Sequence, residues 1–141
     1  MASGRDLAEQ LLSRAADDEA AARAMPPLES VTNAIVGFHA QQAVEKSLKA
    51  VLAARDVEFP FIHDIGGLAD LCEEAGASLP QELDGVDRLT PYAAGLRYDD
   101  DQPSIVGRET ALSWAAKAVT WARGQIQGEG APAAEDAETF G

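Results

Sequence analysis

The chain has 141 residues, enough for one domain around one core, and its 46% apolar and 25% charged residues are proportions of an ordinary globular protein. Its charge balance is not ordinary: 24 acids against 11 bases give a net charge of -13. Lys and Arg neutralising phosphates supply most non-specific nucleic-acid affinity, so this balance argues against broad RNA or DNA binding and leaves room for a local basic site or a basic protein partner.

The single cysteine, Cys72, allows no intrachain disulfide and reads as a small buried thiol in a helix. Met1-Ala2-Ser3-Gly4-Arg5-Asp6 lacks an apolar signal core, and no apolar run approaches the roughly 18 residues that cross a bilayer. A cytoplasmic protein away from membranes is expected.

Helical periodicity dominates. In a first helix over residues 4–24, Leu7, Leu11, Ala15, Asp18, Ala22 and Met25 recur at spacings of three and four, with Asp18 the polar exception. Met25-Pro26-Pro27 ends it, because proline cannot continue the hydrogen-bond ladder. A second helix over 28–55 would be about 42 Å long. Its apolar face changes partway: Val31, Ile35 and Phe38 share one side, while Val44, Leu48, Val51 and Leu52 lie well round from them. One straight partner cannot cover both sets, which predicts a central helix touching different neighbours with its two halves. A loop follows over Asp56-Val57-Glu58-Phe59-Pro60.

His63-Asp64 then opens a third helix to about Ala75, closed by Gly76. Ser78-Leu79-Pro80-Gln81 has the capping-box spacing, and Thr90-Pro91 starts a further helix or kinks one. Asp99-Asp100-Asp101-Gln102-Pro103 reads as a solvated turn, and a last helix begins near Ser104. There Leu112, Ala116, Val119 and Ile126 form the stripe, with Trp114 and Trp121 on an adjacent strip. From Gly128 the composition turns to Gly, Ala, Pro and acid, which predicts a disordered acidic tail over 128–141 after a bundle over 1–127. Without the tail's four acids the bundle keeps a net -9.

The second helix carries the densest chemistry. His39, Gln42, Lys46 and Lys49 fall within about 80° of one another on its wheel, with Glu45 beside them. Two lysines supply charge to a phosphate, Gln42 amide donors and acceptors, and His39 a group that accepts or donates near neutral pH. The same pattern also suits a solvated face with Glu45 and Lys49 as an i,i+4 pair. His63 beside Asp64 is either an acid–base or phosphate-contacting residue or part of a capping pair. Arg97 can bind phosphate bidentately and Tyr98 can stack on a base, or Arg97 can pair with the aspartates that follow. The two histidines lie too far apart for metal-ligand spacing, and no phosphate-cradling glycine loop, Ser/His/Asp order or nucleophile elbow occurs. No metal or cofactor is expected.

Phe38-His39-Ala40-Gln41-Gln42-Ala43, Glu45-Lys46 and Leu48-Lys49-Ala50, then His63-Asp64, then Thr90-Pro91-Tyr92 leading to Arg97-Tyr98, follow in the order and spacing of the HEPN family. With the Ala- and Asp-rich first helix, the chain resembles that family over about residues 5–126. The resemblance implies an all-α fold, an up-and-down bundle of four long helices plus a short fifth, commonly a homodimer. Many family members look like ribonucleases of toxin–antitoxin, CRISPR and stress systems, with a site built from an Arg followed after four to six residues by a His. Others bind nucleotides or partner a separate minimal nucleotidyltransferase. Here Gln102, Pro103 and Ser104 follow Arg97 where that histidine would stand, and Arg55 and His63 are separated by seven residues including a proline. Metal-independent RNA cleavage needs an acid or base at the 2'-hydroxyl and leaving oxygen, so the missing histidine weakens the nuclease reading.

The expectation is a non-catalytic HEPN-type homodimer that binds a nucleotide or a minimal nucleotidyltransferase, within a toxin–antitoxin pair. His39, Gln42, Lys46 and Lys49, with Arg97 and Tyr98, would line its site. The alternatives are an RNase toxin with a degenerate Arg/His site and a helical interaction module with no small ligand.

Overall fold

A computed structural model describes residues 4–25, 30–60, 63–94 and 106–129. Among them are four α-helices, α1 (Gly4–Ala24), α2 (Ser30–Ala54), α3 (Ile65–Glu74) and α4 (Arg108–Glu129), two 3-10 segments, Gln81–Leu83 and Val86–Ala94, and no strand. The all-α class stands. Against the expected four long helices and a short fifth, the described residues hold three long helices, one of ten residues, and the two 3-10 segments.

The most extensive interface joins α1 and α2. Ala8, Ala15 and Ala22 on α1 and Ala40, Ala43 and Ala50 on α2 are fully buried, so methyl groups let the two backbones approach closely. The expected stripe on α1 is turned at its N-terminal end. Ala8 replaces Leu7, which is 41% exposed, because Ala8 packs in one cluster with Ala50 and Ala53 of α2. α4 repeats the device. Ala111, Ala115, Ala118 and Ala122 form its buried line together with Trp114, Val119 and Ile126, while Leu112 and Ala116 are only partly covered.

α2 is central, as its divided apolar face predicts, and packs against α1, α3, α4 and the second 3-10 segment. Val44, Leu48, Val51 and Leu52 are fully buried; Ile35 and Phe38 are half-buried, and the side chain of Val31 lies outside the described residues. α1 runs antiparallel to α2, since Gly4 abuts Ala53 and Asp56. α4 runs parallel to α2: Arg108 donates to the Met25 carbonyl at one end, and Arg55 donates to Gln125 at the other, 2.8 Å away.

After α2 the chain reverses at Asp56, whose φ is +58°, and returns along the helix. Phe59 packs against the Ala50 cluster, and the His63 carbonyl comes within 3.5 Å of the Gln41 amide nitrogen. α3 therefore starts level with the middle of α2 and descends beside it. It ends in a Schellman motif, with Ala77 N–H donating to the Cys72 carbonyl at 2.8 Å and Gly76 N–H to the Glu73 carbonyl at 3.0 Å. Gly76 has φ +86°, a region that glycine enters without a Cβ penalty.

The capping-box spacing at Ser78–Gln81 yields only the three-residue 3-10 segment, whose cap Pro80 makes no side-chain bond. Pro91 lies inside the second 3-10 segment; without an N–H it cannot bond an i−4 carbonyl, so no α-helix forms through it. Arg97, Tyr98, the aspartates 99–101, Ser104 and the expected tail from residue 130 lie outside the described residues.

Gly37 marks where the second 3-10 segment meets α2: a Cβ there would overlap the Tyr92 ring. Helix propensity alone favours alanine over glycine by about 1 kcal/mol. Gly37→Ala should nevertheless lower stability by about 1–3 kcal/mol, because overpacking outweighs propensity; urea unfolding followed by circular dichroism checks the sign.

Candidate functional site

Two carboxylates organise the polar residues of α2. Asp18, the polar exception in the α1 stripe, places Oδ1 3.0 Å from His39 Nδ1 and Oδ2 2.6 Å from Lys46 Nζ. His39 and Lys46 are seven apart and so lie on one side of α2, which lets one carboxylate reach both. A carboxylate only accepts, so the proton between His39 and Asp18 resides on Nδ1.

Glu45 is the second centre, and its side chain is 5% exposed. Oε2 accepts from Lys49 Nζ at 2.8 Å. Oε1 accepts from Gln41 Nε2 at 2.7 Å and lies 2.9 Å from His63 Nδ1. Gln42 donates to Gln41 Oε1 at 2.7 Å, and the Lys49 ammonium also sits 5.7 Å over the Phe59 ring. Burial alone would raise the Glu45 pKa. Hydrogen bonds from Lys49, Gln41 and His63, with the Lys49 charge, more than offset it and hold the carboxyl below its ordinary value.

The structure gathers His39 and Lys46 on Asp18, and Lys49 and, through Gln41, Gln42 on Glu45; the four residues form two clusters and not an open cationic strip. Lys49 is 12% and Lys46 25% exposed, so the solvated-face alternative is also corrected. The Glu45–Lys49 pair is present, and it is buried. Two carboxylates face two ammonium groups, and the formal charges of the four cancel.

The capping pair at His63-Asp64 does not form. Asp64 makes no side-chain cap bond; Thr90 Oγ1 takes the Ile65 N–H instead, at 3.1 Å, and His63 turns to Glu45. Arg55 and His63 do not meet either. The Arg55 guanidinium donates to the Ala75 carbonyl and to Gln125, each at 2.8 Å, ten residues and roughly 15 Å along α2 from Glu45. Cys72 donates its thiol to the Leu48 carbonyl at 3.6 Å, and burial pushes its pKa up to about 12, which fits an inert buried thiol.

Sequence reasoning left out Asp18 and Gln41 as site residues. The signal for Asp18 was its place in an apolar recurrence; Gln41, fully buried, had none beyond its polarity in a long helix. Among the described residues no group of three or more His, Cys, Asp or Glu could hold a metal ion, and no helix is long and apolar enough to cross a membrane.

An alanine-packed, all-helical domain whose central helix has its lysines and a histidine held by two carboxylates is the class of protein these features define. A sequence model of the HEPN domain matches residues 8–125. The chain belongs to the HEPN domain family. No curated protein and no solved structure matches it.

Removing Glu45 leaves Lys49 buried without its partner, so Glu45→Ala should cost about 3–5 kcal/mol, read by urea unfolding. A carboxyl whose pKa is lowered in the folded state stabilises the fold above its unfolded value and loses that contribution as pH falls through the folded one. The wild type should therefore lose stability on acidification below its ordinary 4.5. Glu45→Gln should be less stable at pH 7 and show a flatter acid limb, visible in thermal melts across that range.

Proposed function

We propose that this chain is a non-catalytic HEPN domain that works by binding a protein partner, with a minimal nucleotidyltransferase as the partner class, as a homodimer within a toxin–antitoxin pair. In this proposal a single bundle over 1–127 is followed by a separate acidic tail over 128–141. The observation that supports the partner reading over small-ligand binding is the internal neutralisation of the α2 lysines. Asp18 and Glu45 hold Lys46 and Lys49 at 2.6 and 2.8 Å, so a phosphate would have to displace the buried Glu45 to reach Lys49 and compete with Asp18 for Lys46. A net charge of -13 likewise favours a basic protein surface over an anionic ligand.

Nucleotide binding by His39, Gln42, Lys46 and Lys49, with Arg97 and Tyr98 beyond them, is the second reading. It draws on His39 and Lys46, which meet on one carboxylate and stay partly exposed. RNA cleavage has less support, since the Arg/His motif is absent and His63 is tied to Glu45.

The expected result is that the chain co-purifies with a minimal nucleotidyltransferase expressed beside it. ATP, GTP, AMP or a short single-stranded RNA at millimolar concentration should then leave the melting temperature unchanged. A native-state ligand at a hundredfold excess over its Kd would add about 2.7 kcal/mol. A nucleotide-dependent shift that disappears in Lys46→Ala would move the assignment to nucleotide binding, and RNA cleavage lost in His39→Ala would move it to an RNase.

A further inference from the structure

A cleft of about 370 Å3 opens between the first 3-10 segment and the outer side of α4, lined by Pro80, Glu82, Ala116, Lys117, Thr120 and Trp121. None of the network on α2 takes part in it. Trp121 is pinned there: its Nε1–H donates to the Ser78 carbonyl at 3.0 Å. With the indole's polar group satisfied, the exposed part of its ring offers a partner only apolar area.

The 3-10 edge of the cleft is acidic, whereas the α4 side carries the exposed Lys117 and Arg123. From Glu73 to Asp87, the stretch that contains this 3-10 edge, the sequence has five acids and no Lys or Arg, and all five are exposed. Glu82 forms the cleft's edge, Asp84 follows it, and Glu73 reaches to within 3.0 Å of the Leu79 N–H next to Pro80. Arg88, which follows this stretch, stacks over the Trp114 ring at 5.1 Å. Lys117 lines the opposite edge.

We infer that this cleft is a docking site for a basic segment of a partner protein. The segment seats one apolar side chain on Trp121 and sets Lys or Arg against Glu82, Glu73 and Asp84. An acidic peptide or a nucleic acid would meet like charge at Glu82, Glu73 and Asp84, and a second copy of this chain brings the same -13. An apolar anchor inside a rim of complementary charge is the arrangement in which the anchor supplies most of the affinity while the rim sets encounter rate and selectivity. The inference does not depend on a nucleotidyltransferase being the partner; it fixes where on the domain, and by what chemistry, a protein segment is held.

The test uses the full chain and a fluorescent peptide with a Leu-Phe anchor between lysine pairs, followed by anisotropy. Two control peptides keep the anchor with glutamates or keep the lysines with Gly-Ser. Only the first peptide should bind, about tenfold more weakly in Trp121→Ala and in Glu82→Lys. Because Trp121→Ala also removes the Ser78 bond, Thr120→Arg serves as a second variant; it fills the cleft from an exposed position and should weaken binding by a similar factor with the melting temperature kept. Equal binding of the anchor-free lysine peptide, or binding that salt abolishes but Trp121→Ala and Thr120→Arg leave intact, would show adhesion by charge alone and overturn the assignment. No binding of the lysine-flanked anchor peptide would overturn it as well.

Discussion

A buried carboxylate in the middle of the central helix sets the conditions for the rest of this fold. Glu45 is almost wholly removed from water, which by itself would cost several kcal/mol. Donors from its own helix, Lys49 and Gln41, and from the returning connection, His63, make its ionised form tolerable. The connection can therefore leave α2 at Arg55 and come back to its middle before α3 begins. α3 and both 3-10 segments inherit their positions from that return.

Asp18 does the corresponding work on the other side. The α1–α2 interface is built of alanines, which allow close approach but offer little shape to resist sliding. A carboxylate that reaches both His39 and Lys46, two turns apart on α2, supplies that resistance. Of the polar groups expected to meet a ligand, His39 and Lys46 thus join α2 to α1, while Lys49 and Gln42 bond within α2. The cleft at Trp121, on the outside of α4, is the surface that the docking proposal uses instead.

Much of this was legible beforehand. The long first, second and last helices follow from apolar recurrence, and the central place of α2 from its two apolar faces. The Schellman end at Gly76 follows from glycine's freedom at positive φ. The family followed from residues 38–50 with His63, Thr90 and Tyr92, which are distinctive in combination. Less legible was which side of α1 and α4 is buried: Ala8 in place of Leu7, and Ala115 with Trp114 in place of Leu112 and Ala116. Hydrophobicity ranks leucine above alanine, whereas the distance between two helices can demand the smaller residue.

The sequence by itself determined the helical class, the family, the bounds of the first two long helices and the excess of acid, because each depends on local periodicity, composition or motif order along one chain. The last helix starts at Arg108, later than expected. Only the tertiary structure decided that Lys46 and Lys49 are neutralised, that His63 serves Glu45 instead of capping α3, and that Arg55 braces Ala75 and Gln125. The wheel of α2 shows which residues share its side but not which carboxylate faces them across a neighbouring element. Whether a lysine is available to a phosphate or spent on an internal partner is a matter of a few ångströms between segments far apart in sequence, and no spacing within a single helix encodes it.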